Sequence, residues 1–178
     1  MDQRIGYQLR RARASGGTGL GLAPVRLRSL VEDIVGTLDK VYRDKQVSCE
    51  FEIDDAVSYQ ADPGDLSEIL GNLLDNAYKY CRRRVLISIA SFDDRVEITT
   101  EDDGPGLDPG EQEAVLERGA RADESVPGQG IGLAVVAETA ELYKGRVRIG
   151  TSGLGGTAVR VVLPRRRHQL IKRSKKIQ

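Results

Sequence analysis

Aromatic residues, histidine, cysteine and long apolar runs are all scarce in this chain, and each scarcity narrows what it can be. Among 178 residues there is no Trp, only two Phe and six Tyr, so aliphatic side chains must supply most of the core. The two cysteines, Cys49 in an expected strand and Cys81 at an expected helix end, have no metal or redox spacing. They are read as packing residues in a reducing compartment. No apolar run approaches the about 18 residues of a membrane span, and Met1-Asp2-Gln3-Arg4 does not open a signal peptide. The expectation is a soluble cytosolic chain. Net charge is also absent, because 27 Lys and Arg balance 27 Asp and Glu. The balance is uneven: residues 1–28 carry six Arg against one Asp, and residues 165–178 carry seven basic groups and no acid. The middle is left with 14 basic and 26 acidic residues, a formal charge of −12. A middle that acidic argues against a nucleic-acid duplex as partner.

What is present centres on Gly71-Asn72-Leu73-Leu74-Asp75-Asn76-Ala77-Tyr78-Lys79-Tyr80. Leu66, Ile69, Leu70, Leu73, Leu74 and Ala77 recur at three- and four-residue intervals, the pattern of a helix packed on a core. Asn72, Asn76 and Lys79 follow the same spacing on another flank, about one turn apart. Such a row suits a polyphosphate with its metal, and it also fits a plain solvated face. Two mid-helix asparagines compete for backbone hydrogen bonds, which favours a reason beyond solubility. Downstream come Asp102-Asp103-Gly104-Pro105-Gly106 and then Gly128-Gln129-Gly130-Ile131-Gly132-Leu133 opening a helix. The three motifs in this order are far more specific together than any one alone.

On these motifs the chain resembles the ATP-binding catalytic domain of sensor histidine kinases, in the superfamily that also holds the gyrase, Hsp90 and MutL ATPases. The wording of the asparagine box, of Glu-Asp-Asp-Gly-Pro-Gly and of Arg-Gly-Ala-Arg-Ala-Asp looks most like PhoQ-type kinases. The resemblance runs from about Val25 to Leu163. It implies the Bergerat fold, an α/β two-layer sandwich with a mixed sheet and helices on one face.

The pattern along the chain agrees. Residues 1–14 read as the end of a basic helix, which the resemblance makes the remnant of a dimerisation hairpin. Residues 15–24 read as a linker, although Gly-Thr-Gly-Leu-Gly-Leu there is spelled like a second glycine box. Helical periodicity runs from Val25 to Lys45. Alternation then predicts strands over Val47–Ile53 and Val57–Gln60. Asp62-Pro63-Gly64-Asp65 is expected to start the asparagine helix, with Glu68 three residues after Asp65 as a capping-box partner. Strands follow over Val85–Ser91 and Arg95–Glu101, joined at Phe92-Asp93-Asp94. A short helix over Pro109–Leu116, a polar loop over Glu117–Gly128 and a helix over Gly130–Lys144 precede a closing hairpin, Arg146–Thr151 and Thr157–Leu163. The catalytic domain is thus 25–164, and 165–178 reads as a disordered basic tail.

The resemblance also implies roles. Asp103 is the candidate acceptor for the adenine amine, with Gly104 and Gly106 leaving room for the ring and Tyr80 stacking on it. Asp102 or Asp103 as plain turn formers is the alternative. Asn72 and Asn76 would present oxygens to Mg²⁺, and Lys79 would meet a phosphate. Gly128, Gly130, Ile131, Gly132 and Leu133 would bring backbone donors to the phosphates at a helix start. Arg118, Arg121 and Gln129 sit in or beside a nucleotide-covering loop, where arginine can stabilise the transferring phosphoryl group. The phenylalanine usual in that loop is replaced by Val115-Leu116. Asn72 stands where the related ATPases carry a glutamate base, and an amide is no base. The expected activity is transfer of the ATP γ-phosphoryl group to a histidine outside this chain, since His168, its only histidine, lies in the tail. The implied partners are the chain's own dimerisation domain, a response regulator and a second copy in a homodimer. The implied place is the cytoplasmic side of an inner-membrane sensor. Two alternatives stay open: a nucleotide-binding regulatory module without turnover, and a gyrase- or Hsp90-type ATPase.

Overall fold

The computed structural model describes residues 22–108, 110, 112 and 132–165. The expected basic helix over 1–14, most of the linker, all but residues 110 and 112 of the helix and loop expected over 109–128, and the tail beyond 165 lie outside the described residues.

The chain enters through β1 (Pro24–Arg26), which pairs antiparallel with β3 (Ser58–Gln60) as a two-stranded sheet. The helix expected from Val25 therefore starts two residues later, as α1 (Leu27–Val41). Val25 is in phase with the apolar stripe, but its backbone is taken by Tyr59 across the β1–β3 ladder. Leu27, Val31, Val35 and Leu38 form the buried stripe of α1. A 3₁₀ turn, Arg43–Lys45, follows and ends at Gln46 in a left-handed conformation, φ 52°.

The main sheet has the order β2-β4-β5-β7-β6, built from β2 (Ser48–Ile53), β4 (Arg84–Ser91), β5 (Arg95–Asp102), β6 (Arg146–Thr151) and β7 (Thr157–Pro164). The β2–β4 pair is parallel and the other three are antiparallel, so the sheet is mixed. Between β3 and β4 runs α2 (Pro63–Tyr80), and α3 (Gly132–Leu142) precedes β6. Period-two alternation sends Val85, Ile87, Ile89, Val96, Ile98, Val159, Val161 and Leu163 to one face, where they join the buried stripes of the helices in one core. The opposite face carries exposed Glu50, Glu52, Arg148 and Arg160. Two layers with the helices on one face are what the pattern predicted.

With so few aromatics, Tyr78 is the largest fully buried side chain, and its hydroxyl donates to Asp39 Oδ1 at 2.8 Å. Burial, then that hydrogen bond, raises its pKa well above the ordinary phenol range. Cys49 is half-buried and Cys81 buried, both as free thiols, and burial pushes the Cys49 thiol up to about 11. No helix among the described residues is long and apolar enough to cross a membrane.

Candidate nucleotide site

The start of α2 departs from the expected capping box. Asp62 is the N-cap, accepting from Gly64 N at 2.8 Å, with Pro63 in the first turn. That frees Asp65 and Glu68 for α3. Tyr143, just past the end of α3, donates to Asp65 Oδ2 at 2.6 Å, and Thr139 Oγ1 donates to Glu68 Oε2 at 2.8 Å. One turn on, the α-carbon of Gly132 packs against the Asn72 amide, 3.1 Å from an ideal β-carbon position to Oδ1. Asp65, Glu68 and Asn72 therefore form a ladder that fixes α2 against α3.

Asn72, Asn76 and Lys79 lie half-exposed on one flank of α2, while Leu73, Leu74 and Ala77 are buried. Asn72 Nδ2 donates to Glu68 O at 2.7 Å, which holds one end of the amide on the helix and leaves its oxygen towards α3. The Lys79 ammonium rests 5.1 Å from the centroid of half-buried Tyr80. Lys45 Nζ donates to the carbonyls of Tyr78 and Lys79, at 2.7 and 2.8 Å, and so closes the C-terminus of α2.

At the end of β5 the structure separates two neighbouring carboxylates and gives the expected Asp103 a setting unlike that of Asp102. Alternation along β5 places Val96, Ile98, Thr100 and Asp102 on the helix side, so Asp103 points elsewhere. Asp103 Oδ1 accepts from the backbone N–H of Arg82, Arg83 and Arg84 at 2.7, 3.0 and 3.0 Å. Partial burial works to raise its pKa, but those N–H groups outweigh it and hold the carboxyl below its ordinary value. Its role is to cap the backbone at the α2–β4 junction.

Asp102, by contrast, is 3% exposed. Its Oδ1 accepts from Gly104 N at 2.8 Å and Thr157 N at 3.2 Å, and its carbonyl accepts from Gly156 N at 3.1 Å. Burial raises its pKa, against the lowering effect of the Gly104 and Thr157 N–H groups. No side chain fits at Gly104, where a β-carbon would overlap the Tyr80 carbonyl, or at Gly156, where it would overlap Asp102 Oδ1. Gly106, at φ 80°, lies against Gly156. The turn before β7, read from the sequence only as a hairpin loop, therefore packs on Asp102 through Gly156 and Thr157. Asp102, weighed from the sequence only as a turn former, is the residue on which the strict spacing Asp-x-Gly-x-Gly starts.

Gly132 and Leu133 open α3, and Leu133 is 8% exposed, with its side chain in the core. Arg118, Arg121, Gly128, Gln129, Gly130 and Ile131 lie outside the described residues. Among the described residues no cluster of three or more His, Cys, Asp or Glu is placed to hold a metal. A cation here would depend on side-chain amides and on oxygens of the ligand, which suits Mg²⁺ with its few protein ligands.

The family of histidine kinase-, DNA gyrase B- and HSP90-like ATPases matches residues 61–167. The chain belongs to this family. Among its relatives is the two-component sensor PhoQ of Pseudomonas aeruginosa, 45% identical over 162 residues that make up 90% of this chain and 36% of the relative. The chain spans about a third of the length of the curated relatives it matches. The structure of the mycobacterial sensor histidine kinase MprB superposes with a TM-score of 0.71 at 28% identity, covering 82% of this chain and 99% of MprB. Full-length ShkA, solved in complex with AMPPNP, gives 0.71 at 28% identity, covering 90% of this chain and 35% of ShkA. The expected fold and the resemblance to the ATP-binding catalytic domains of PhoQ-like sensor histidine kinases are borne out.

Proposed function

We propose that the chain binds Mg²⁺·ATP between Asp102 and the polar flank of α2, and transfers the γ-phosphoryl group to a histidine on a separate dimerisation domain. The observation that carries this reading is Asp102: a buried carboxylate with Oδ1 held by two backbone N–H groups, beside glycines that admit no side chain. Its remaining acceptor capacity matches the exocyclic amine of adenine, and Asp102 replaces Asp103 in that role. Tyr80 and Gly106 border the base.

Asn72 and Asn76 would hold Mg²⁺ through their amide oxygens, and Lys79 would neutralise a phosphate. When bound, the cation offsets charge on the phosphate oxygens. The start of α3 at Gly132 and Leu133, with Gly128, Gly130 and Ile131 before it, offers backbone donors to the phosphates. Arg118, Arg121 and Gln129 are proposed to stabilise the transferring group. In the transfer, the bond from the γ-phosphorus to the β–γ bridging oxygen breaks, a phosphorus–nitrogen bond forms on the acceptor imidazole, and ADP leaves. Histidine is nucleophilic enough to need little base assistance. Asn72 provides no base, and Glu68 is bonded to Thr139; both features disfavour a water-activating ATPase.

The acceptor hairpin, a cognate response regulator, a homodimeric parent protein and a cytoplasmic position beneath an inner membrane complete the proposal. Calorimetry with Mg²⁺·ATP should show binding that Asp102→Ala abolishes and Asn76→Ala weakens. Adding a separate dimerisation hairpin should produce acid-labile phosphate on it. Absence of binding by the unaltered chain ends the proposal.

A further inference from the structure

We propose that Glu101 is a positioning residue for the purine-binding carboxylate, acting through the turn Ser152–Gly156. The inference rests on the nucleotide site proposed above and adds a residue to it from the other side of the sheet.

Glu101 precedes Asp102 in β5, so its side chain projects from the face that carries no helix. Glu101 Oε2 accepts from Ser152 Oγ at 3.0 Å and from Gly153 N at 2.7 Å. Ser152 is only 6% exposed, and its hydroxyl oxygen also accepts from Leu154 N at 2.9 Å. Two backbone bonds, Ser152 N to Gly156 O at 2.9 Å and Gly155 N to Ser152 O at 3.1 Å, close the turn on itself. Glu101 is therefore joined to a turn that is braced internally.

The β6–β7 ladder ends at Thr151 and Thr157, and the β5–β7 ladder ends at Glu101 and Ala158. Residues 152–156 overhang the sheet beyond those pairs. They are held from one face by the Glu101 carboxylate and from the other by Asp102, through Gly156 N and Thr157 N. A shift of the turn on the Glu101 side displaces the N–H that fixes Asp102 Oδ1. Little slack exists to absorb it, since Gly156 already lies too close to Asp102 for a β-carbon.

The test uses the purified chain with ADP and GDP as probes, comparing Glu101→Ala, Glu101→Gln and Ser152→Ala. Calorimetry should show Glu101→Ala weakening ADP binding about 5-fold to 10-fold, less than the full worth of a charge-assisted hydrogen bond because Glu101 acts through the turn, and narrowing the preference for ADP over GDP. Glu101→Gln keeps an acceptor oxygen and should recover most of the affinity. Ser152→Ala, which keeps the Gly153 link, should lie between the two and serves if Glu101→Ala does not fold. In nucleotide-free protein, the amides of Gly156 and Thr157 should exchange faster in Glu101→Ala while those of α1 are unchanged. A purely structural clamp would lower the melting temperature and leave both the ADP affinity and the ADP-to-GDP ratio at wild-type values, which would overturn the inference. An unaltered chain that binds no ADP removes the proposed function and this inference with it. Normal binding by the unaltered chain and by Glu101→Ala removes the inference alone.

Discussion

Burial raises the Asp102 carboxyl above 3.8, while three backbone N–H groups hold Asp103 below it. The two neighbours therefore respond to acid in opposite ways. For Asp102 the folded state holds the proton more tightly than the unfolded one, so its ionisation costs stability that is regained as pH falls through its raised pKa. For Asp103 stability is present above the unfolded pKa and is lost as pH falls through the lowered folded value. Adenine-nucleotide affinity should decline on acidification before an ordinary aspartate would titrate, and calorimetry over a pH series should find that decline flattened in Asp102→Asn. Asp103→Ala should leave adenine preference intact and lower the unfolding free energy by about 1 kcal/mol, the net worth of partly exposed hydrogen bonds, as urea titration will measure. The glycine spacing made this region legible as a candidate site, whereas the proposed choice between the two acids needed the pleat of β5 and the N–H groups of Arg82–Arg84, which come from a distant segment.

The helices were legible from their apolar stripes, and their ends were not. Val25 continues the stripe of α1, yet pairing with Tyr59 claims it for β1; such a contact is invisible to local periodicity. Asp65 and Glu68 have capping-box spacing, but Pro63 in the first turn moves the cap to Asp62. The displaced pair becomes the interface between α2 and α3. Tyr143→Phe removes the donor to Asp65 and should cost about 1–2 kcal/mol of stability, because it leaves a buried carboxylate short of a partner. Asp62→Ala should cost about 1 kcal/mol, the usual worth of an N-cap. Denaturant midpoints at constant slope will show both.

At the scale of the molecule, a ligand that binds only the folded state raises its stability by mass action. Mg²⁺·ATP at about 100 times its Kd should add about 2.7 kcal/mol, read as a rise in melting temperature that a chelator reduces. His168 should remain unphosphorylated in the isolated chain, as mass spectrometry under alkaline conditions will check. Both ends of the described fold meet at β3. Arg26 in β1 pairs with Ser58, Tyr59 donates its hydroxyl to the Pro164 carbonyl at 2.8 Å, and the Arg165 guanidinium donates to the Ser58 carbonyl at 3.0 Å. The described residues therefore begin and end at one corner, where three separate links to a single short strand tether both ends.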